Sequence, residues 1–187
     1  MVISDGKKLT FILCAGLIFG GVFILKAQKS VGEKINKVLY FNPEVEPDLE
    51  EIKEPTNTAF FSAVSDNLSE RKNKMLKTET QISFDSIDQK TIADYCMNND
   101  ADFAVVPKVK YFKVGFGKYV FSNQVVVSMK LFDAQGNLLT ETDYDTYKKN
   151  MRLLGSTTNS VKIGTNGAIK GILKQFRKSR HSDGTGF

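Results

Sequence analysis

Residues 124–140 read QVVVSMKLFDAQGNLLT, and this stretch decides the fold class. Val125, Val127, Met129 and Leu131 recur at every second position, which puts them on one face of a strand. Asp133 to Asn137 punctuates the run as a turn, with Gly136 suited to a positive φ. Leu139 to Tyr147 then alternates Thr140, Thr142, Tyr144 and Thr146 with acidic residues, the pattern of a further strand. Upstream, a long strand is expected from Phe103 through Val109 and Tyr111 to Val114. Gly115, Phe116 and Gly117 turn it into Tyr119, Val120 and Phe121. Pro107 lacks an N–H and points to an edge or a bulge.

Working outward, Asp88 is a candidate N-cap for a helix carrying Ile92, Tyr95 and Cys96, stopped at Asn98, Asn99 and Asp100. Val38 to Phe41 suits a buried first strand ended by Asn42 and Pro43, and Thr80 to Phe84 a second strand. Between them lies an acidic loop with Pro43, Pro47 and Pro55. A helix is expected after Pro55, with Phe60, Val64 and Leu68 in line and Phe61 and Met75 near the same face. A polar Ser/Thr-rich loop follows the third strand of the meander. Ala168, Ile169, Ile172, Leu173 and Phe176 then form the apolar stripe of a last helix. The order is β-α-β-α-β-β-β-α. It predicts an α/β (α+β) domain with a mixed sheet, a three-stranded meander and helices packed on one face.

The N-terminal part has a different character. LTFILCAGLIFGGVFIL, residues 9–25, contains no charge and is flanked by Lys7, Lys8, Lys26 and Lys29. As a helix it covers about 26 Å, and snorkelling lysines extend that toward a hydrocarbon core of about 30 Å. A single transmembrane anchor is expected, with residues 1–8 as its head, 26–36 as a spacer, 37–178 as the domain and 179–187 as a disordered tail. Gly16 and Gly20 form a G-x-x-x-G that lets helices approach closely. A cleaved signal peptide is the alternative: Ala27 suits the residue before a cut, whereas Leu25 is large for the second small-residue position. Lipidation at Cys14 would follow Leu13 rather than a small residue. The lysine count places the domain in the cytoplasm by the positive-inside rule. A short basic head before a first apolar segment instead behaves as an export signal. We expect an inner-membrane protein with its domain in the periplasm.

Composition narrows the chemistry. One of the two cysteines, Cys14, lies in the apolar run, so Cys96 has no disulfide partner in the domain. His181 is the single histidine, no Cys/His cluster exists, and no metal or cofactor is expected. Asp143 and Asp145 share a strand face without a third ligand. Phosphate-loop, dinucleotide-binding and nucleophile-elbow patterns are absent, so a non-enzyme is expected. The net charge of +5 is uneven: residues 42–54 are acidic, and from Lys148 onward the charge is almost wholly basic. Lys170, Lys174, Arg177 and Lys178 are candidates for an anionic partner such as lipid headgroups. The basic stretch lacks the interleaved aromatics that stack bases, which argues against nucleic acid.

IADYCMNNDADFAVVPKV, residues 92–109, resembles a helix-then-strand signature of bacterial envelope proteins, and residues 124–140 are similar to the hairpin that follows it there. That group includes the curli-secretion lipoprotein, the N-terminal domain of the TolB protein, the outer-membrane activator of penicillin-binding proteins and auxiliary lipoproteins of lipid-transport ABC systems. The resemblance implies a non-catalytic accessory or scaffold subunit of an envelope assembly (secretion, appendage or transport) acting through protein contacts, with a homo-oligomer possible. It carries over no catalytic residue. Phe116, Tyr119 and Tyr111, on the first hairpin, are the candidate protein contacts. The alternative is a carrier of lipid or another small hydrophobic ligand, with an apolar pocket between sheet and helices.

Overall fold

A computed structural model describes residues 35–69, 73–112, 124–150 and 156–182. The elements are β1 (Lys37–Asn42), β2 (Glu44–Glu46), α1 (Glu50–Ser69), β3 (Lys74–Gln81), α2 (Gln89–Asn98), β4 (Phe103–Tyr111), β5 (Val125–Asp133), β6 (Leu138–Asp145), α3 (Thr146–Asn150) and α4 (Thr157–Ser182). The sheet runs in the order β3-β1-β4-β5-β6, with β2 pairing parallel to β4 beyond the end of β1. β1 is parallel to both its neighbours, whereas β4, β5 and β6 form the antiparallel meander. The mixed α/β architecture and the meander are as expected.

The helices, however, cover both faces of the sheet, not one. α1 and α4 pack over Val38, Tyr40, Val105, Val127, Met129 and Leu131. α2 packs its Ile92 and Cys96 against Leu39, Phe41, Ala104, Val106 and Phe132 on the other face. Handedness explains this. The β1–α1–β3 connection steps one way along the sheet, and β3–α2–β4 steps back past β1. Two right-handed crossovers in opposite directions place their helices on opposite faces.

Four other expectations are corrected. α1 starts before Pro55, which lies inside the helix and forgoes only one early backbone bond. The second strand is Lys74–Gln81 rather than Thr80–Phe84, so Met75 belongs to β3, opposite Val38. α4 begins within the expected Ser/Thr loop and continues to Ser182, past the boundary placed at 178. Pro107 sits in a central strand, not at an edge. It falls between Val105, paired with Tyr40 of β1, and Lys108, paired with Glu44 of β2, so its missing donor coincides with the break between these strands.

α4 lies close on β5 and β6 because glycines face the sheet. A Cβ on Gly164 would come within 2.6 Å of Val127 Cγ2, one on Gly167 within 2.1 Å of Tyr144 Cδ2, and one on Gly171 within 2.4 Å of Thr142 Oγ1. Across the helix pair, Asn67 of α1 donates from Nδ2 to Asn166 Oδ1.

Candidate functional site

Three features of the domain can meet a ligand or partner. The first is an apolar cleft between the helices and the sheet. Val38, Tyr40, Val105, Met129 and Leu131 form its floor; Leu68, Ile169, Ile172 and Leu173 form its walls. Phe103 and Phe176 meet edge-to-face at its rim, with ring centroids 5.8 Å apart, and Asn36 and Asn73 also lie on it. Its volume is about 110 Å³. An apolar cavity of about 150 Å³ accommodates a benzene ring, and drug-sized ligands need about 300 Å³ or more. The cleft therefore has room for a few methylenes, not for an acyl chain along its length.

The second feature is the outer side of α4. Its sequence contains no Asp or Glu, and Lys170, Lys174, Arg177 and Lys178 are all exposed. Their spacing of four, three and one residues keeps them on one side of the helix, opposite the buried Ala168, Ile169 and Ile172.

The third is the half of the opposite sheet face next to α2, where charged residues alternate across the strands. Lys108 lies at its centre, its side chain 13% exposed. Its Nζ stands 2.6 Å from Glu46 Oε1, 2.9 Å from Asp85 Oδ2 and 3.1 Å from Glu44 Oε1. Those carboxylates hold the ammonium well above the ordinary lysine range, against the opposing effect of burial. Reciprocally, hydrogen bonding to Lys108 lowers the Glu46 and Asp85 carboxyls. Lys130 donates to the Phe84 carbonyl and stands 4.3 Å from the centroid of the Phe84 ring. Asp143 is exposed on the neighbouring strand, and Asp145 turns back to accept the Tyr147 and Lys148 N–H groups at the start of α3. This cluster is a structural ion-pair network of a kind that sequence spacing does not reveal, since its members come from β2, β4 and the loop before α2.

The remaining candidates fall as follows. Tyr111 is half-buried rather than presented outward, and its hydroxyl lies 2.6 Å from Thr56 Oγ1. Burial pushes its phenol up. Cys96 is buried in the α2 core, where desolvation raises the thiol and disfavours the reactive thiolate. Phe116, Tyr119, Gly16, Gly20 and the whole 9–25 run lie outside the described residues. Among the described residues no helix is long and apolar enough to cross a membrane, and no group of three His, Cys, Asp or Glu could hold a metal ion.

No family model and no curated protein matches the chain. Among solved structures, a PelC dodecamer from Paraburkholderia phytofirmans is 8% identical, covers 72% of this chain and 86% of its own, and gives a TM-score of 0.47. Lipoprotein GNA1162 from Neisseria meningitidis is 11% identical over 74% of this chain and 99% of its own, with a TM-score of 0.41. The LpoB C-terminal domain from Salmonella enterica is 12% identical over 62% and 85%, with a TM-score of 0.39. These likenesses assign neither a family nor an activity to the chain.

Proposed function

We propose that the chain is a membrane-tethered, non-catalytic accessory or scaffold subunit of a bacterial cell-envelope assembly. Residues 9–25 hold it in the inner membrane, and its domain works in the periplasm through contacts with other envelope proteins or with copies of itself. The observation that carries this reading is the small size of the apolar cleft, about 110 Å³. A carrier must enclose most of a hydrophobic ligand, and this interior is occupied by its own side chains. Cys96 and the Lys108 cluster are likewise committed to packing and ion pairing. The basic side of α4 is what the domain presents outward. The resemblance of residues 92–109 and 124–140 to envelope accessory domains agrees with this reading.

Affinity purification of the full chain from membranes in mild detergent, with identification of the co-purifying proteins and lipids, tests it. We expect defined envelope proteins in fixed ratio. Recovery of the chain alone, or with stoichiometric lipid and no protein, would favour a carrier instead. Phe116→Ala examines the first hairpin within the same experiment. An interface aromatic is worth about 2 kcal/mol or more, so recovery of the partner should fall while the circular dichroism spectrum is unchanged.

A further inference from the structure

α4 is a 26-residue helix without an acidic residue. Among the described residues no carboxylate is ion-paired with Lys170, Lys174 or Lys178. Cations in the last turn of a helix are accounted for by its macrodipole, an effect that fades within that turn. Lys170 and Lys174 lie roughly two to three turns before Ser182. The dipole does not account for them.

The second observation is where this face lies in the domain. Asn36 and Val38 border the same cleft as Ile172, Leu173 and Phe176, and Phe103 at the start of β4 touches Phe176. The C-terminal half of α4 therefore lies at the end of the sheet where residue 35 begins the domain. Acidic residues at that end are already engaged. Asp100 pairs with the Lys37 ammonium, Asp102 accepts the Lys37 N–H, and Asp133 accepts the N–H groups of Gln135 and Asn137 within its turn. Half-buried Leu173 and Phe176 adjoin the cations, giving the mixed basic and apolar border found on surfaces that rest on bilayers.

We propose that the exposed Lys170, Lys174, Arg177 and Lys178 face of α4 docks on the headgroups of an anionic lipid bilayer. The inference rests on the reading that residues 9–25 are held in a membrane. Residues 26–34, fully extended, reach about 30 Å, so a domain tethered at residue 35 keeps this end near the bilayer. Tethering raises the effective concentration of headgroups, and individually weak contacts then suffice.

The full chain is reconstituted into nanodiscs of phosphatidylcholine alone or of a mixture rich in phosphatidylglycerol. Acylation rates of individual lysines are read by mass spectrometry. Lys170, Lys174 and Lys178 should react about fivefold more slowly in the anionic discs, the equivalent of about 1 kcal/mol per cation near an anionic surface. High salt should remove the difference. Lys90, exposed on α2 across the sheet, should react alike in both discs. Equal rates at the α4 lysines overturn the docking and leave that face to an acidic protein partner. Equal protection of Lys90 also overturns it, because the effect would then not belong to α4. A chain that stays with neither disc refutes the tether, and the docking with it. A chain retained in both discs with unprotected α4 lysines refutes the docking alone.

Discussion

Replacing Gly167 by alanine tests how closely α4 is seated on the sheet. An alanine Cβ there would lie 2.1, 2.3 and 2.4 Å from Tyr144 Cδ2, Cε2 and Cγ, against an ordinary carbon contact of about 3.5–4.0 Å. Relief requires a movement of more than about 1 Å. The ring cannot supply it by pivoting at its far end, because Cγ is itself too close. The helix must lift, and it also rests on Val127 through Gly164 and on Thr142 through Gly171. Overpacking of this kind costs about 1–3 kcal/mol. Replacing glycine by alanine in a helix interior returns about 1 kcal/mol through backbone entropy. The net change in the native background is a loss of up to about 2 kcal/mol, or about 2–4 °C in Tm per kcal/mol for a chain of this size.

The decisive measurement is a double-mutant cycle with Tyr144→Ala, by urea denaturation of the full chain in mild detergent. With the ring gone, Gly167→Ala should become stabilising by about 1 kcal/mol, so the coupling between the sites should equal the overpacking cost, about 1–3 kcal/mol. If Gly167→Ala has the same effect in both backgrounds, or stabilises the native chain, the reasoning about this close approach is wrong.

Ile172→Asp puts a carboxylate at a position only 5% exposed, between α4 and the sheet; a loss of about 4 kcal/mol or more is expected, and a melting curve like that of the native chain would contradict the placement of α4. Gly136→Ala meets a φ of +78° and the Gln89 carbonyl oxygen 2.2 Å from the new Cβ. Denaturation should show a loss of about 2–3 kcal/mol, and Gly136→Asn no smaller one, because the space as well as the φ excludes a side chain. The Lys108 cluster predicts acid sensitivity. The folded-state values of Glu46 and Asp85 are lowered by Lys108, so their stabilisation is complete above the ordinary carboxylate range and is lost as pH falls through the lowered values. The raised value of Lys108 adds a second limb, because the same pairing is also lost in strong alkali, where the ammonium gives up its proton. Lys108→Met should therefore flatten the pH dependence of stability below about pH 5; an unchanged acid limb would show that the cluster contributes nothing to it.

Local pattern was enough to identify the meander and the short helix α2. Val125, Val127, Met129 and Leu131 alternate because one side of β5 is buried, and all four are buried. Asp88 accepts the Thr91 N–H as an N-cap with its carboxylate, as its position before the stripe implies. Gly136 has the positive φ that its turn requires. The inward stripe of Ala168, Ile169 and Ile172, with cations on the other side, was also legible, because helical period alone separates the two faces.

What local pattern missed depends on partners distant in the chain. Gly164, Gly167 and Gly171 read as weak helix positions until Val127, Tyr144 and Thr142 are seen beneath them, and the Ser/Thr-rich start of α4 reads as a loop by local pattern alone. Lys108 acquires three carboxylate neighbours only when β2 and the loop after β3 are brought to β4. The splitting of the helices between two faces follows from the position of β3 beyond β1, which no period along the chain encodes. Periodicity reports which side of an element is buried, since that depends on neighbours three or four residues away. Which element lies against it, and how closely, is decided by the long-range pairing of strands and the handedness of their connections.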